Sequence, residues 1–226
     1  MSQKISIIIP VLNEAKILEK TLSQLQSELG HHELIIVDGG STDGSVPIAE
    51  KYGKVVTSGH GRAKQLNAGA AAASGDILIF LHADIWLESG ALAAVETALS
   101  SGYIGGGFRQ KIDGNNILYR AIEIAGNIRG KCLKVFYGDS GIFLRRADFE
   151  RIGGFREVPI LEEMEFSRDL RKLGKTTLVI PHIHISPRRW ETKGIVRTTV
   201  NNWLITFLYF LKFSPEQLAK LYQHIR

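Results

Sequence analysis

The chain is poor in several features that would otherwise decide its class. Among 226 residues there is one cysteine, Cys132, which excludes an internal disulfide framework or a thiolate metal cluster and fits a reducing compartment. The longest apolar stretch, residues 203–211 (Trp-Leu-Ile-Thr-Phe-Leu-Tyr-Phe-Leu), is about half as long as a bilayer span. A basic leader before a cleavable apolar segment is also missing, because the chain opens almost directly on Ile5-Ser-Ile-Ile-Ile9. A soluble, cytoplasmic protein is the expectation. There is no internal repeat, low-complexity tract or linker to divide domains. Neither common phosphate-binding loop occurs: Gly39-Gly-Ser-Thr-Asp-Gly44 lacks the G-x-G-x-x-G spacing, and no Gly-Lys-Ser/Thr of a Walker loop is present. The net charge of +5 is modest. It fits phosphorylated ligands or an anionic membrane surface, and without a nucleic-acid motif no nucleic-acid partner is expected.

What is present is enough length for a full core and the apolar and charged fractions of an ordinary globular protein. Residues 5–10 read as a buried strand. A helix follows, opened by Asn13 or Glu14, with Leu18, Leu22, Leu25 and Leu29 on one face and Gly30 at its end. Residues 33–38 form a second buried strand ending on Asp38, and a Gly/Ser/Thr turn leads into a short helix around 46–52. A short strand at 54–57, an alanine-rich helix at 62–73 and a strand at 77–81 complete this half. Such alternation predicts βαβ units and a mostly parallel central sheet flanked by helices, an α/β fold. The second half is less regular. Strands are expected at 105–112, 140–144 and 176–180, and helices at 117–128 and 161–173. One or two helices run from Thr192 onward, broken at Ser214-Pro215.

The most informative stretch is Asp76-Ile-Leu-Ile-Phe-Leu-His82-Ala83-Asp84. An apolar run of strand length delivers a carboxylate where the strand ends, and open α/β sheets bind ligands at that edge. A carboxylate there suits a hard divalent cation, which in turn suits a diphosphate; a plain turn or helix cap is the competing reading. Asp38 ends its strand at the same edge. The N–H groups of the turn after it, including Gly40 and Ser41, face a nucleotide or belong to an exposed turn capped by Asp43. Residues 203–211 have too little polar relief for a fully exposed helix. They are read as core or dimer contact, or as a membrane-surface element flanked by Arg197 and Lys212.

Three motifs in order, Ile7-Ile-Ile-Pro-Val-Leu-Asn-Glu14, Ile35-Ile-Val-Asp-Gly-Gly-Ser-Thr-Asp-Gly-Ser45 and Asp76 to Asp84, resemble the N-terminal motifs of family 2 glycosyltransferases, which have the GT-A fold. The similarity continues through Gly138-Asp-Ser-Gly141, Gly153-Gly-Phe155 and Leu161-Glu-Glu163, and so covers roughly residues 4–175. The length points to one domain over 1–226, expected to comprise a nucleotide-binding half at 1–100, an acceptor and catalytic half at 101–190, and a helical segment at 191–226. The resemblance implies that Pro10, Asn13 and Glu14 line the nucleoside pocket and that Asp38 accepts from the base's ring N–H. A base lacking that donor would leave a buried carboxylate unpaired. Asp84 matches the last carboxylate of the family's D-x-D motif, a ligand of Mn²⁺ or Mg²⁺ on the diphosphate. His82 stands where the family has the first Asp, with Ala83 between. The stretch Gly59-His-Gly-Arg62-Ala-Lys64-Gln-Leu-Asn67 resembles one that contacts diphosphate and ribose, and Arg62 adds charge to an anion-favouring helix start.

Glu162 and Glu163 stand where the family has Glu-Asp, whose second member is the general base of an inverting transfer. Glu163 is one methylene longer than that Asp. Asp139 is implied to orient the sugar or acceptor. Ser186-Pro-Arg188-Arg189-Trp190 is similar to the Q-x-x-R-W element of processive relatives, but Ser186 takes the Gln position and no spanning helices follow. Processive synthesis is therefore not expected. Arg188 or Arg189 would close over the diphosphate, and His184, placed with His182 after the last strand, would complete the metal site. The Gly-Arg-Ala-Lys-Gln-Leu-Asn and Ser-Pro-Arg-Arg-Trp motifs also resemble a small bacterial subgroup connected with arsenosugar biosynthesis.

The expected activity is an inverting, metal-dependent transfer from a nucleotide-sugar, a UDP-sugar, to a small-molecule or lipid-linked hydroxyl acceptor. A homodimer or a peripheral contact at the inner membrane surface are the further partners in view. Two rivals stand beside it. A sugar nucleotidyltransferase usually has a Gly-rich, Lys/Arg-bearing loop after its first strand, where this chain has Pro10-Val-Leu-Asn-Glu14. A nucleotide-sugar sensor without turnover is kept in view by the departures at His82 and Glu163.

Overall fold

The computed structural model describes residues 3–225, with side chains through Tyr222. The first strand, β1 (Ile5–Val11), is buried almost throughout, as its unbroken apolar sequence demands. Helix α1 (Ala15–Leu29) buries Leu18, Leu22, Leu25 and Leu29 at helical spacing, and Gly30 ends it at a φ of 54°. Strand β2 (Glu33–Asp38), helix α2 (Ser45–Ala49), strand β3 (Lys54–Thr57), helix α3 (Arg62–Ala72) and strand β4 (Ile77–Phe80) follow within a residue or a few of expectation. Small side chains let α3 lie close to the sheet: a Cβ on Gly69 would sit 2.4 Å from Ile8 Cγ2.

The second half holds β5 (Ile85–Leu87), α4 (Ala91–Ser100), β6 (Gly105–Ile112) and α5 (Ile117–Ile128). A π-helical turn at Arg129–Leu133 and a tight turn at Gly138–Ser140 lead to β7 (Ile142–Arg145) and α6 (Arg146–Ile152). Then come α7 (Glu162–Leu173), β8 (Thr176–Ile185), α8 (Arg188–Lys193), α9 (Ile195–Phe210) and α10 (Pro215–Ile225). The sequence reading did not include β5, α4 or α6. It also ended the last strand too early: β8 continues through Pro181, so His182 and His184 lie in the strand and not after it. The pairing explains how proline is accommodated. Phe108 faces Val179 but Arg109 faces His182, so Ile180 and Pro181 bulge out of the ladder.

All eight strands join one sheet in the order β3-β2-β1-β4-β7-β6-β8-β5. The β3-β2-β1-β4 portion is parallel, as the βαβ pattern predicts. Beyond it the sheet is mixed: β7 runs antiparallel between β4 and β6, β6 pairs parallel with β8, and β5 closes the edge antiparallel. Apolar clusters cover both faces, one against α1 and α4 and the other against α3, α6 and α7. The run at 203–211 is not core; it lies in α9 and just after it, and Ile205 is its buried member.

Candidate active site

Strand β1 lies between β2 and β4, with chain order reversing across it, so a crevice opens at the carboxyl ends of β1 and β4. The loops after β1 and β2 are stitched together along one wall. Asn13, at a φ of 56°, donates its N–H to Ser41 Oγ (2.9 Å) and accepts from the Thr42 N–H at Oδ1 (2.8 Å). The Glu14 N–H donates to Ser45 Oγ (2.8 Å), and the Ala15 N–H to Asp43 Oδ2 (3.0 Å). Asp38 is buried and accepts from the Gly40 and Ser41 N–H groups. Pro10 is half-buried at the end of β1.

One residue absent from the sequence reading fixes this wall. Buried Gln65 of α3 donates through Nε2 to the carbonyls of Val11 (2.8 Å) and Val37 (2.9 Å), bridging the ends of β1 and β2. Nothing in a Gly-Arg-Ala-Lys-Gln-Leu-Asn string marks the Gln over its charged neighbours. Its role shows only once the fold brings its amide against the carbonyls at the ends of both strands.

The opposite wall carries the charge. His82 Nε2 lies 2.8 Å from Glu163 Oε1, and the Gly138 N–H donates to Glu163 Oε2 at 2.7 Å. The fit is tight, for a Cβ on Gly138 would fall 1.7 Å from His82 Nε2 and 2.3 Å from Glu163 Oε1. Leu161, left-handed at a φ of 66°, turns the chain into α7 so that Glu162 and Glu163 enter the crevice. Arg62 reaches Glu162 Oε1 at 3.6 Å. Desolvation works against the Arg62 charge, but Glu163, Glu162 and Asp84 outweigh it and hold the guanidinium more firmly protonated than usual. Burial alone would raise the Glu163 carboxyl; His82, Arg62 and the Gly138 N–H overcome it and bring the group down to about 2. Glu162 moves the other way, pushed up by burial and by the Glu163 charge against the pull of Arg62. Two adjacent carboxyls thus have environments that drive them apart, as at sites where proton-transfer roles are divided.

Asp84 is partly exposed at the strand end, with Oδ2 4.0 Å from an Arg188 nitrogen that also lies 2.7 Å from Glu14 Oε2. Arg188 therefore spans the two walls. Ala83 is buried beneath. Among the described residues no group of three or more His, Cys, Asp and Glu side chains is arranged to hold a metal ion. A single carboxylate at Asp84 nonetheless fits a hard cation that takes its other ligands from diphosphate oxygens and water. Asp139 sits at the rim, 3.2 Å from Arg129, whose guanidinium lies over the Tyr137 ring.

Several expected residues are engaged elsewhere. Asn67 spends its whole amide on the Phe155 backbone, with Nδ2 to the carbonyl and Oδ1 from the N–H, both at 2.8 Å. Lys64 faces Glu157 at 3.9 Å on the surface. Arg189 turns away to Asn202 and Tyr222. His184 places Nδ1 2.8 Å from Asp113 and Nε2 3.5 Å from Glu88, and its ring stacks on Trp86, so both nitrogens already face carboxylates. His82, which stands where the family has the first Asp of its metal motif, faces the base candidate Glu163.

Comparison with known proteins bears on family and fold. The sequence profile of Glycosyl transferase family 2 matches residues 6–154, well over half of the chain. A PGL/p-HBAD biosynthesis glycosyltransferase of Mycobacterium bovis is 27% identical over 210 residues, 86% of this chain and 79% of that protein. The undecaprenyl-phosphate 4-deoxy-4-formamido-L-arabinose transferase of Proteus mirabilis is 32% identical over 95 residues, 36% of this chain and 29% of its own. Among solved structures, the mannosyltransferase PcManGT of Pyrobaculum calidifontis, in complex with GDP-Man and Mn²⁺, aligns with a TM-score of 0.62 at 18% identity. That alignment covers 80% of this chain and 57% of PcManGT. S. aureus TarS in complex with UDP-GlcNAc gives 0.61 at 17%, covering 81% and 58%. This chain thus spans under two thirds of either solved neighbour, and at such identity the likeness is one of fold, the GT-A arrangement.

Proposed function

The chain belongs to glycosyl transferase family 2, and from that premise we propose an inverting transfer from a nucleotide-sugar, a UDP-sugar, to a hydroxyl acceptor. The observation carrying this reading is the convergence of Asp84, Arg62, His82 and the Glu162–Glu163 pair on one crevice at the carboxyl edge of the sheet. In it the stitched Asn13–Ser41 wall takes the nucleoside, with Asp38 reading the base edge, while Arg62 and Arg188 face the diphosphate. Asp84 would hold Mn²⁺ or Mg²⁺, whose charge when bound offsets that of the departing diphosphate. Glu163 accepts the acceptor hydroxyl's proton as its oxygen attacks the anomeric carbon, and the bond from that carbon to the diphosphate oxygen breaks on the opposite face. His82 and the Gly138 N–H keep the Glu163 carboxylate ionised and aimed. Asp139, at the rim, orients the sugar or acceptor.

A transferase named for undecaprenyl phosphate among the relatives supports a lipid-linked acceptor. The nucleotidyltransferase and sensor alternatives lack a comparable observation in their favour. Thermal-shift titration with a panel of UDP- and GDP-sugars, each with and without Mn²⁺, tests the donor reading. Stabilisation by a UDP-sugar that requires the cation and disappears in Asp84→Ala is expected. An unchanged cation response in that variant would move the metal away from Asp84.

A further inference from the structure

Helix α9 is built inside out. Toward the body it turns its polar residues: Thr198 is buried, Asn202 accepts from Arg189, Thr206 pairs with the Tyr137 hydroxyl at 3.2 Å, and Tyr209 donates to Glu165. Toward solvent it turns Val196, Val200, Trp203, Phe207 and Phe210, each more than half exposed. Their spacing of four, three, four and three residues is that of a single helical stripe, and Leu204 and Leu211 widen it. A surface helix facing water has the opposite arrangement. Helix α5 repeats the pattern with Ile117, Ile124 and Ile128 exposed, followed by Leu133. The two elements converge on Tyr137: Thr206 of α9 bonds its hydroxyl, and Arg129, just past α5, covers its ring at 3.9 Å. The next residue, Gly138, is the one that holds Glu163.

We propose that α9 and α5 seat this chain on an anionic lipid bilayer surface, with the Tyr137–Asp139 rim of the crevice beside the membrane. Charge decides the occupant. Residues 189–222 carry five Lys and Arg against two Glu. Exposed Lys131, Lys193, Arg197 and Lys212 lie at the margins of the stripes. A hollow of about 190 Å³ at the start of α9 is lined by Arg189, Lys193 and Arg197 with Thr198 and Asn201. In a two-fold dimer this basic border would be set against its own copy, whereas anionic headgroups complement it. No helix among the described residues is long and apolar enough to cross a membrane, so the contact is one of a helix lying in the interface. It does not depend on donor chemistry.

The test needs no donor or acceptor. Trp86 and Trp190 are buried while Trp203 is 59% exposed, so a tryptophan emission shift on adding vesicles reports α9. Expected are a blue shift and co-flotation with phosphatidylcholine/phosphatidylglycerol vesicles, weakened at least about tenfold with phosphatidylcholine alone. Trp203→Ser/Phe207→Ser should lower partitioning by at least about tenfold at unchanged melting temperature. Arg197→Glu/Lys212→Glu should erase the preference for the anionic lipid. Failure to float with anionic vesicles overturns the proposal, as does equal partitioning by the Trp203/Phe207 variant. A stable dimer in light scattering that this variant dissociates, without vesicle binding, assigns the face to a second copy instead.

Discussion

At the scale of single residues, the centre of the site is a carboxylate with both oxygens occupied. Glu163 meets His82 through one and the Gly138 N–H through the other, and against the effect of burial these contacts and the nearby Arg62 charge hold its carboxyl down to about 2. A group depressed in this way is ionised throughout the neutral range and is lost as an acceptor only when pH falls toward that value. Glu163→Gln keeps the shape but cannot take a proton, so turnover should fall by about two to four orders of magnitude with donor affinity near that of the parent. Single-turnover rates alongside calorimetric donor binding separate the two quantities. His82→Gln removes the imidazole that helps hold Glu163 down, so Glu163 keeps its proton to higher pH and the acid limb of kcat/KM should move upward by about one unit. A His82→Gln enzyme as impaired as Glu163→Gln, with an unmoved acid limb, would make the imidazole the proton acceptor. The sequence placed both residues at the site through their motifs. It could not pair them, because 81 positions separate them and only the fold brings the end of β4 to the start of α7.

The elements show where legibility ends. Continuous apolar runs and helical leucine spacing suffice for β1, α1, β2, β3 and α3, since each is a long or well-bounded period. Strand β5 has three residues, too few for any period to declare itself. β8 passes through a proline that reads as a terminator until the bulge opposite Phe108 and Arg109 is seen. The small turns matter most for function. Gly138→Ala would drive a methyl between His82 and Glu163, so we expect at least about a hundredfold loss of turnover with donor binding retained. An active Gly138→Ala enzyme would mean that the His82–Glu163 contact opens during the reaction. Gln65→Leu withdraws the shared donor from the Val11 and Val37 carbonyls. Val11 keeps a bond from the Gly39 N–H, so the loss of stability in chemical denaturation should be about 1–3 kcal/mol. UDP affinity should drop with it, because the same bridge holds the nucleoside wall.

For the whole molecule, the sheet is clamped near its two ends by carboxylates whose acidity the fold has changed in one direction. At one end Glu33 accepts from Ser6, from the Ser74 N–H (2.6 Å) and from the Ser74 hydroxyl (2.8 Å), and faces Lys4 at 3.3 Å. It thereby ties β2 to β1 and to the turn before β4. Burial would raise its carboxyl, yet these bonds bring it down to about 2. At the other end Glu88, just past β5, accepts from the His182 N–H at 2.8 Å and faces the His182 and His184 rings. The His182 N–H leads the causes that bring this group, too, down to about 2. Both carboxyls are more acidic folded than unfolded, so what they contribute is fully present above about 4.5 and is lost as pH falls from there toward about 2. The melting temperature should therefore be nearly flat from pH 7 to pH 5 and fall steeply below pH 4.5. Glu33→Gln and Glu88→Gln should each melt lower than the parent at pH 7 and lose less on acidification, the difference narrowing toward pH 3. Scanning calorimetry across that range checks this, and parallel melting curves for parent and variants at every pH would show that neither clamp bears on the fold. Glu33 sits where β2 begins and Glu88 at the far edge of the sheet, so a steeper loss of slope in Glu33→Gln would place the acid-sensitive step in the parallel half that carries the nucleoside wall.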